Sequence, residues 1–190
     1  MSQYGAYNGR WAKIKTETDK AAPTYETAIS LGAVSKVTDS LTFTNLRAEG
    51  DDCVQDSLHD FVSGTVDIAY DAGCSNEALA AVHGATLADD GGVNFSVADQ
   101  SPYGGYGFLR RILHGSVKSF QGVLYVKTKA VLQGRDHNGK KVSGTVLTGD
   151  KIHMDLEAPK FGPYMIFSPE FATETEAIAW LDQKLPLKTG

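Results

Sequence analysis

Two alternating stretches, VLYVKTKAVLQ at residues 123–133 and GTVLTGDKIHMDLEAP at residues 144–159, decide the fold of this chain. In the first, apolar or small side chains recur at every second position from Leu124 to Leu132, with Lys127 and Lys129 between them. In the second, Ile152, Met154 and Leu156 alternate with charged residues. Successive side chains of a strand point to opposite faces, so both stretches predict half-buried strands. The polar stretch GRDHNGKKVS between them predicts a hairpin connection.

Similar alternation predicts further strands at about residues 25–31, 33–49, 61–71, 93–99 and 106–115. Two short helices are predicted. The first, SNEALAAVHG, begins after Ser75 and ends at Gly84, and the second has a capping box formed by Thr173 and Glu176 and ends at Pro186. The helices do not alternate with the strands. The chain is therefore predicted to be mainly β, a sandwich or barrel of about seven or eight antiparallel strands with one flanking helix and a C-terminal helix.

The bulk composition describes an ordinary globular chain of 190 residues, which is predicted to form one domain. The net charge of −5 argues against a surface that grips nucleic acid, because such a surface needs clustered Lys and Arg. The N-terminus lacks the apolar segment of a secretory signal, and no apolar run approaches the ~20 residues of a membrane span. We therefore expect a chain that stays in solution and assembles in a cytoplasm. Cys53 and Cys74 are predicted to be reduced, with one disulfide as the alternative.

Candidate catalytic and metal-binding motifs fail on their context. The glycine-rich SPYGGYGFLRR at residues 101–111 precedes a strand-like run, so it predicts a bulged strand entry and no phosphate loop. The five histidines lack the spacing of a metal site, and the Asp51–Asp52 and Asp89–Asp90 pairs lie in turn-like sequence. No GxSxG elbow occurs. The sequence therefore predicts no enzyme, no metal and no cofactor.

The segments outside the predicted sheet point to assembly. Residues 1–22 are polar and contain glycine, and they are predicted to be an extended N-terminal arm. Residues 48–60 belong to the acidic stretch RAEGDDCVQDSLHD and are predicted to be a long loop. Arms and a long loop on a compact β core suggest an assembling subunit.

Four features in order resemble the major tail protein of long, non-contractile-tailed bacteriophages of Gram-positive hosts. They are a PTY strand start at residues 23–25, the strand FVSGTVDIAYD, the helix ALAAVHG followed by SPYGGYGF, and the hairpin of residues 123–159. The resemblance covers about residues 1–160, which would be the tail-tube β domain. Residues 161–190 match nothing in that family and are predicted to be a C-terminal helical extension.

The resemblance implies a structural virion protein with a tail-tube-like β-sandwich or barrel. Six copies would form a ring, and stacked rings would form the tail tube through which the genome passes. The implied partners are other copies of the chain and the tail tape measure, tail terminator and distal tail proteins. Double-stranded DNA would pass without specific binding, and no membrane or cofactor is implied. Six chains at −5 carry about −30 per ring, so the lumen is expected to share the sign of DNA.

Two groups of site residues follow as hypotheses from the resemblance. The loop of residues 48–60 would make contacts between rings, through Glu49, Asp51, Asp52, Asp56 and Asp60. The outward faces of the hairpin strands would line the lumen or meet a neighbouring subunit, through Lys127, Lys129, Asp150, His153, Asp155 and Glu157, with Asp67 as a further candidate. Val126, Leu132, Ile152 and Met154 would pack the core.

Two other classes of protein remain alternatives. A bacterial secretion-system tube protein would share the fold. A carbohydrate-binding β-sandwich would need exposed aromatic side chains on one sheet face, which Tyr103, Tyr106 and Tyr125 could supply.

Overall fold

The computed structural model of the chain describes residues 2–44, 46–50, 53–58, 60–70, 74–133 and 151–187. These residues contain thirteen strands and two helices. The elements in chain order are β1 (Ser2–Thr16), β2 (Thr24–Tyr25), β3 (Ile29–Ser30), β4 (Val34–Phe43), β5 (Leu46–Gly50), β6 (Cys53–Leu58), β7 (Phe61–Tyr70), α1 (Asn76–His83), β8 (Thr86–Leu87), β9 (Val93–Asn94), β10 (Tyr103–His114), β11 (Val117–Val131), β12 (Lys151–Leu156), β13 (Met165–Phe167) and α2 (Glu174–Lys184).

Nine strands form one antiparallel sheet in the order β2-β1-β10-β11-β12-β7-β4, with β3 also paired to β1 and β13 to β11. The sheet curls, and its last strand β4 approaches β1. At this approach the Leu31 amide donates to the Gly9 carbonyl at 2.9 Å, and Gly9 packs against Val34. The predicted fold class, mainly β with an antiparallel sheet, a short helix and a C-terminal helix, is confirmed.

Two apolar cores cover opposite faces of the sheet. The first lies inside the curl and is closed by Ala78 and Val82 of α1. The second lies under α2, whose Leu181 and Leu185 are fully buried. Strands β10 and β11 contribute to both cores, so their sequences are apolar on both faces.

The antiparallel pairing of the two deciding stretches is confirmed, because β11 and β12 pair from Thr128↔Leu156 to Val131↔His153. The predicted connection and the start of the second stretch, residues 134–150, lie outside the described residues. The faces of β11 differ from the prediction at one point. Gly104 pairs with Thr128 and Tyr106 pairs with Tyr125, so β11 holds one extra residue there. A β-bulge of this kind reverses which alternate positions face a given core.

The bulge separates residues that the alternation placed together. Val126 packs into the second core, whereas Ala130 packs into the first. Leu132 lies beyond the end of β11 and is 52% exposed, so its assignment to the core was wrong. Ile152 and Met154 are buried as predicted.

Both helix boundaries predicted from caps are confirmed. Ser75 accepts a hydrogen bond from the Ala78 amide, and Gly84 ends α1 in the left-handed conformation with φ 66°. Thr173 and Glu176 form the complete capping box of α2. These signals are local, so they are readable without the rest of the fold.

The prediction of residues 1–22 as an arm was wrong for most of its length. Residues 2–16 form β1, which pairs with β10 over nearly its whole length. Arg10, Trp11 and Ala12 are buried. The composition of this segment led to the wrong prediction. Its glycines and polar residues alternate with the buried residues only irregularly, because the strand has two register shifts.

The predicted loop at residues 48–60 also contains strands. β5 and β6 pair antiparallel as a separate two-stranded sheet, from Leu46↔Leu58 to Gly50↔Cys53. Five further strands, β2, β3, β8, β9 and β13, have only two or three residues each and also raise the number above the predicted seven or eight. The C-terminal residues continue the same fold, because β13 pairs with β11 and α2 closes the second core. The Cys53 side chain lies outside the described residues, so the thiol prediction stays a prediction.

Candidate functional site

The exposed side of strands β11, β12, β7 and β4 forms one continuous polar face. A row of directly paired residues crosses it, from Tyr103 on β10 through Lys129, Asp155 and Thr65 to Ser40 on β4. Paired residues of antiparallel strands share a face, so these side chains lie on the same side of the sheet. We call this surface the polar face.

A second row of the polar face is organised around a histidine. It runs Val131, His153, Asp67 and Thr38. His153 Nδ1 lies 2.7 Å from Asp67 Oδ1, and its Nε2 lies 3.7 Å from Asp155 Oδ1. The imidazole therefore sits between two carboxylates on neighbouring strands and ties β12 to β7.

The β10 edge of the polar face holds two lysines against an aromatic ring. Lys127 Nζ lies 4.6 Å and Lys129 Nζ 5.3 Å from the centroid of the Tyr103 ring. Lys127 Nζ also lies 3.2 Å from Glu17 and 3.8 Å from Glu157. The Tyr103 hydroxyl donates to Glu157 at 3.1 Å. We call these five residues the lysine clamp.

Glu17 has two hydrogen-bond donors in the lysine clamp region. Burial acts to raise the pKa of Glu17, but hydrogen bonds from the Lys160 amide and the Lys127 ammonium outweigh it and hold the pKa below its usual value. The Glu17 carboxylate is therefore charged. Its ion pair with Lys127 connects the segment that follows β1 to strand β11.

The polar face is close to neutral, whereas the whole chain carries a net charge of −5. Its described residues include four lysines and three carboxylates beside His153 and several hydroxyls. These are Lys36, Lys127, Lys129, Lys151, Asp67, Asp155 and Glu157. The acidic excess of the chain therefore lies elsewhere.

The predicted site residues fall into two places. Lys127, Lys129, His153 and Asp155 share the polar face. Glu157 lies beside them, because its backbone N–H donates a hydrogen bond to the Lys127 carbonyl. Glu49 is on β5 and Asp56 on β6, which belong to a separate two-stranded sheet, and Asp60 is exposed just before β7. Asp51, Asp52 and Asp150 lie outside the described residues.

A cleft of about 340 Å³ lies between β1 and β4, on the side where the curled sheet nearly closes. Phe108, Tyr125 and Phe167 line it, and Arg110 stacks on Phe167 at 4.7 Å. Burial, followed by the charge of Asp39, raises the pKa of Tyr125, so its phenol stays protonated at neutral pH. Sequence reasoning missed this cleft because its walls come from five separate segments.

Ser119, His114 and Glu170 meet in the described part of the chain, but they do not form a catalytic triad. Glu170 Oε2 accepts from Ser119 Oγ at 2.7 Å and lies 2.7 Å from His114 Nε2. The carboxylate stands between the other two, whereas a nucleophile needs the histidine beside the serine.

Two other features are absent from the part of the chain that the structure describes. No three His, Cys, Asp or Glu side chains there are grouped closely enough to hold a metal ion. None of the helices described is long and apolar enough to span a bilayer.

No protein-family model matches this sequence, and no curated protein matches it. The fold and the site define a class: an antiparallel β protein with an exposed, nearly neutral polar face on four neighbouring strands. The last of these strands, β4, ends the described sheet.

Proposed function

We propose that this chain is the tail tube subunit of a long, non-contractile bacteriophage tail and that it polymerises as stacked rings into the conduit for the genome. The observation that carries the proposal is the polar face, which spans four strands and ends at the sheet edge of β4. The order of sequence features in residues 1–160 supports the same class.

The edge of β4 supports ring formation. β4 pairs with β7 on one side and is the last strand of the described sheet on the other. A sheet edge exposes unpaired N–H and C=O groups that can pair with another chain. A repeated contact between different surfaces of successive subunits closes into a ring when the rotation per subunit allows it.

The chemistry of the polar face supports a wall along which DNA moves. Threonine and serine hydroxyls occupy several of its β4 and β7 positions, namely Thr38, Ser40 and Thr65, and its lysines are balanced by carboxylates. Binding of duplex DNA depends on clustered cations that displace counterions from phosphates. A surface without such a cluster lets the duplex pass.

The aromatic positions give no support to a carbohydrate platform. Tyr106 and Tyr125 are 0% and 3% exposed and stack on each other in the first core. Of the three candidate tyrosines, Tyr103 alone is exposed, and it belongs to the lysine clamp.

Electron microscopy of the purified chain, with light scattering across a concentration series, tests the assembly. We expect rings or tubes of uniform width. A strict monomer at every concentration, including after addition of preformed tail initiation complexes, would contradict the proposal.

Cysteine labelling then tests which surface faces the lumen. In a C53S/C74S background, Ser40→Cys places a thiol on the polar face, and Thr175→Cys places a matched thiol on exposed α2. A bulky maleimide should label both in the monomer. In tubes we expect only the α2 position to react, so equal labelling of both would place the polar face outside.

A further inference from the structure

We propose that the lysine clamp has a function of its own: Tyr103, Glu17 and Glu157 withhold Lys127 and Lys129 from the phosphates of duplex DNA. The inference rests on the proposed function only in taking duplex DNA as the partner that passes the polar face.

The geometry holds the Lys127 ammonium against a carboxylate and the Tyr103 ring, and it places the Lys129 ammonium 5.3 Å from the centroid of the same ring. Lys127 is 12% exposed, although it lies on an otherwise solvent-facing side of the sheet. Its ammonium meets the Glu17 carboxylate at 3.2 Å and the Tyr103 ring at 4.6 Å. An ammonium over an aromatic face is attracted by the ring quadrupole, and a carboxylate adds a charge-assisted hydrogen bond.

The clamp is itself fixed by contacts from separate parts of the chain. Glu17 accepts the Lys160 amide at 2.9 Å, which holds its carboxylate in place. Glu157 accepts the Tyr103 hydroxyl at 3.1 Å, which fixes the ring. The two acids therefore have partners besides Lys127, and their position does not depend on it.

The other two lysines of the polar face lack such restraint. Lys36 and Lys151 are exposed at the far end of the face and lie opposite the same residue, Ala69, from its two sides. Releasing Lys127 and Lys129 would raise the number of polar-face lysines that can reach a phosphate from two to four. Each lysine that neutralises a phosphate adds about 0.9 to the slope of log affinity against log salt.

The test measures binding of a 20-base-pair duplex to the free chain at low salt, by fluorescence anisotropy. The clamp-release variant is Tyr103→Leu with Glu17→Gln and Glu157→Gln. We expect it to bind at least about fivefold more tightly than the wild type and to have a salt slope steeper by about 1 to 2. The wild type should bind weakly.

A matched control removes the same number of acids away from the clamp. Glu26→Gln with Asp90→Asn alters two exposed carboxylates on other segments and changes the net charge equally. Its DNA affinity should rise less than that of the clamp-release variant. Tyr103→Phe keeps the ring over Lys127 and Lys129 but loses the hydroxyl bond to Glu157, so its DNA affinity should lie between that of the wild type and that of the clamp-release variant.

Three results would overturn the inference: equal affinity of the clamp-release variant and the wild type, equal gains in the variant and its control, or tight binding by the wild type. If the triple variant does not fold, Glu157→Gln alone should give a smaller gain, and no gain would count against the clamp. Ring formation is measured separately by electron microscopy. A chain that forms no rings would refute the proposed function, whereas the role of the lysine clamp is tested by the DNA affinities alone.

Discussion

Gly122 gives the indole of Trp180 its place against the sheet. A Cβ at this position of β11 would lie 2.4 Å from Cε3 and Cζ3 of the ring. The ring is rigid and packs beside the second core, so it cannot yield without moving α2. We expect Gly122→Ala to lower the free energy of unfolding by about 1–3 kcal/mol, measured by chemical denaturation.

A control and a rescue identify the cause of this loss. Gly92→Ala adds a methyl group in an exposed turn, where it meets only the flexible Asp90 side chain, and should cost little. In a Trp180→Leu background the cost of Gly122→Ala should fall, because the clashing ring is gone. An undiminished cost there would assign the effect to the strand backbone.

Glu170 links stability to acid pH. Hydrogen bonds from Ser119 and from His114 lower its pKa below the usual value, against a smaller opposing effect of burial. A carboxylate with a depressed folded pKa contributes stability above its unfolded pKa, about 4.5, and loses it as pH falls through the folded pKa. Glu170→Gln should therefore be less stable than the wild type at pH 7, with the difference shrinking below about pH 4.5.

Urea midpoints at several pH values check this dependence. Glu26→Gln, at an exposed position, serves as the control and should leave the curve unchanged. A difference between Glu170→Gln and the wild type that stays constant down to the lowest pH would contradict the assigned role.

The bulge in β11 shows where residue-level prediction ends. Alternation placed Val126 and Leu132 in one core, and the structure puts Val126 in the second core and Leu132 in solvent. One extra residue opposite Gly104 and Tyr106 reverses the faces, and its position depends on the pairing with β10. A pattern within one strand does not contain that information.

Helix α2 is fastened to β1 by a buried arginine. Arg10 is 2% exposed, pairs with Asp182, and donates to the Leu185 carbonyl at the end of α2 at 3.2 Å. Arg10→Met removes these donors and leaves the carbonyl buried without them. We expect a loss of about 1–3 kcal/mol in unfolding free energy and faster hydrogen exchange of α2 amides.

The partner of Arg10 supplies the matched control. Asp182 is 49% exposed, so Asp182→Asn leaves a solvated amide and should cost less than Arg10→Met. Equal costs would mean that the ion pair, and not the bond to the helix end, holds α2. Unchanged exchange of α2 in Arg10→Met would remove the fastening role altogether.

Some elements could be predicted from neighbouring residues alone, whereas others depend on residues far away in the sequence. The caps of α1 and α2 lie within four residues of the bonds that they make, so the sequence predicted both helix boundaries. β1 was missed because its burial depends on β10, about a hundred residues further along the chain, and on α2 at the far end. Its polar, glycine-containing sequence carries no sign of those partners.

At the scale of the whole molecule, part of the polar face could be predicted from the sequence and part could not. Lys127, Lys129, His153 and Asp155 were placed outward by alternation, and the register of β11 with β12 brings them together. Tyr103 and Glu17 were not expected there, because they reach the face from β10 and from the chain after β1. The near neutrality of the face likewise depends on which charges the fold gathers, and net charge cannot predict that.

The β5–β6 hairpin is the part of the molecule best suited to test contacts between rings. It forms its own two-stranded sheet outside the nine-stranded one, and Leu46 pairs with Leu58 at its base. Replacing residues 47–57 by a short Gly-Ser linker across this base should leave the main sheet folded, since its hydrogen bonds lie elsewhere. If the hairpin joins rings, the variant should form single rings that do not stack.

Electron microscopy shows whether the rings stack, and thermal unfolding of the same preparation shows whether the chain is folded. An unchanged unfolding midpoint of the main domain shows that a loss of stacking is not a loss of folding. The double substitution Asp89→Asn and Asp90→Asn in the β8–β9 turn serves as the control for charge removal and should stack normally. Tubes of normal length from the shortened chain would show that rings stack through another surface, because no hairpin would then remain to join them.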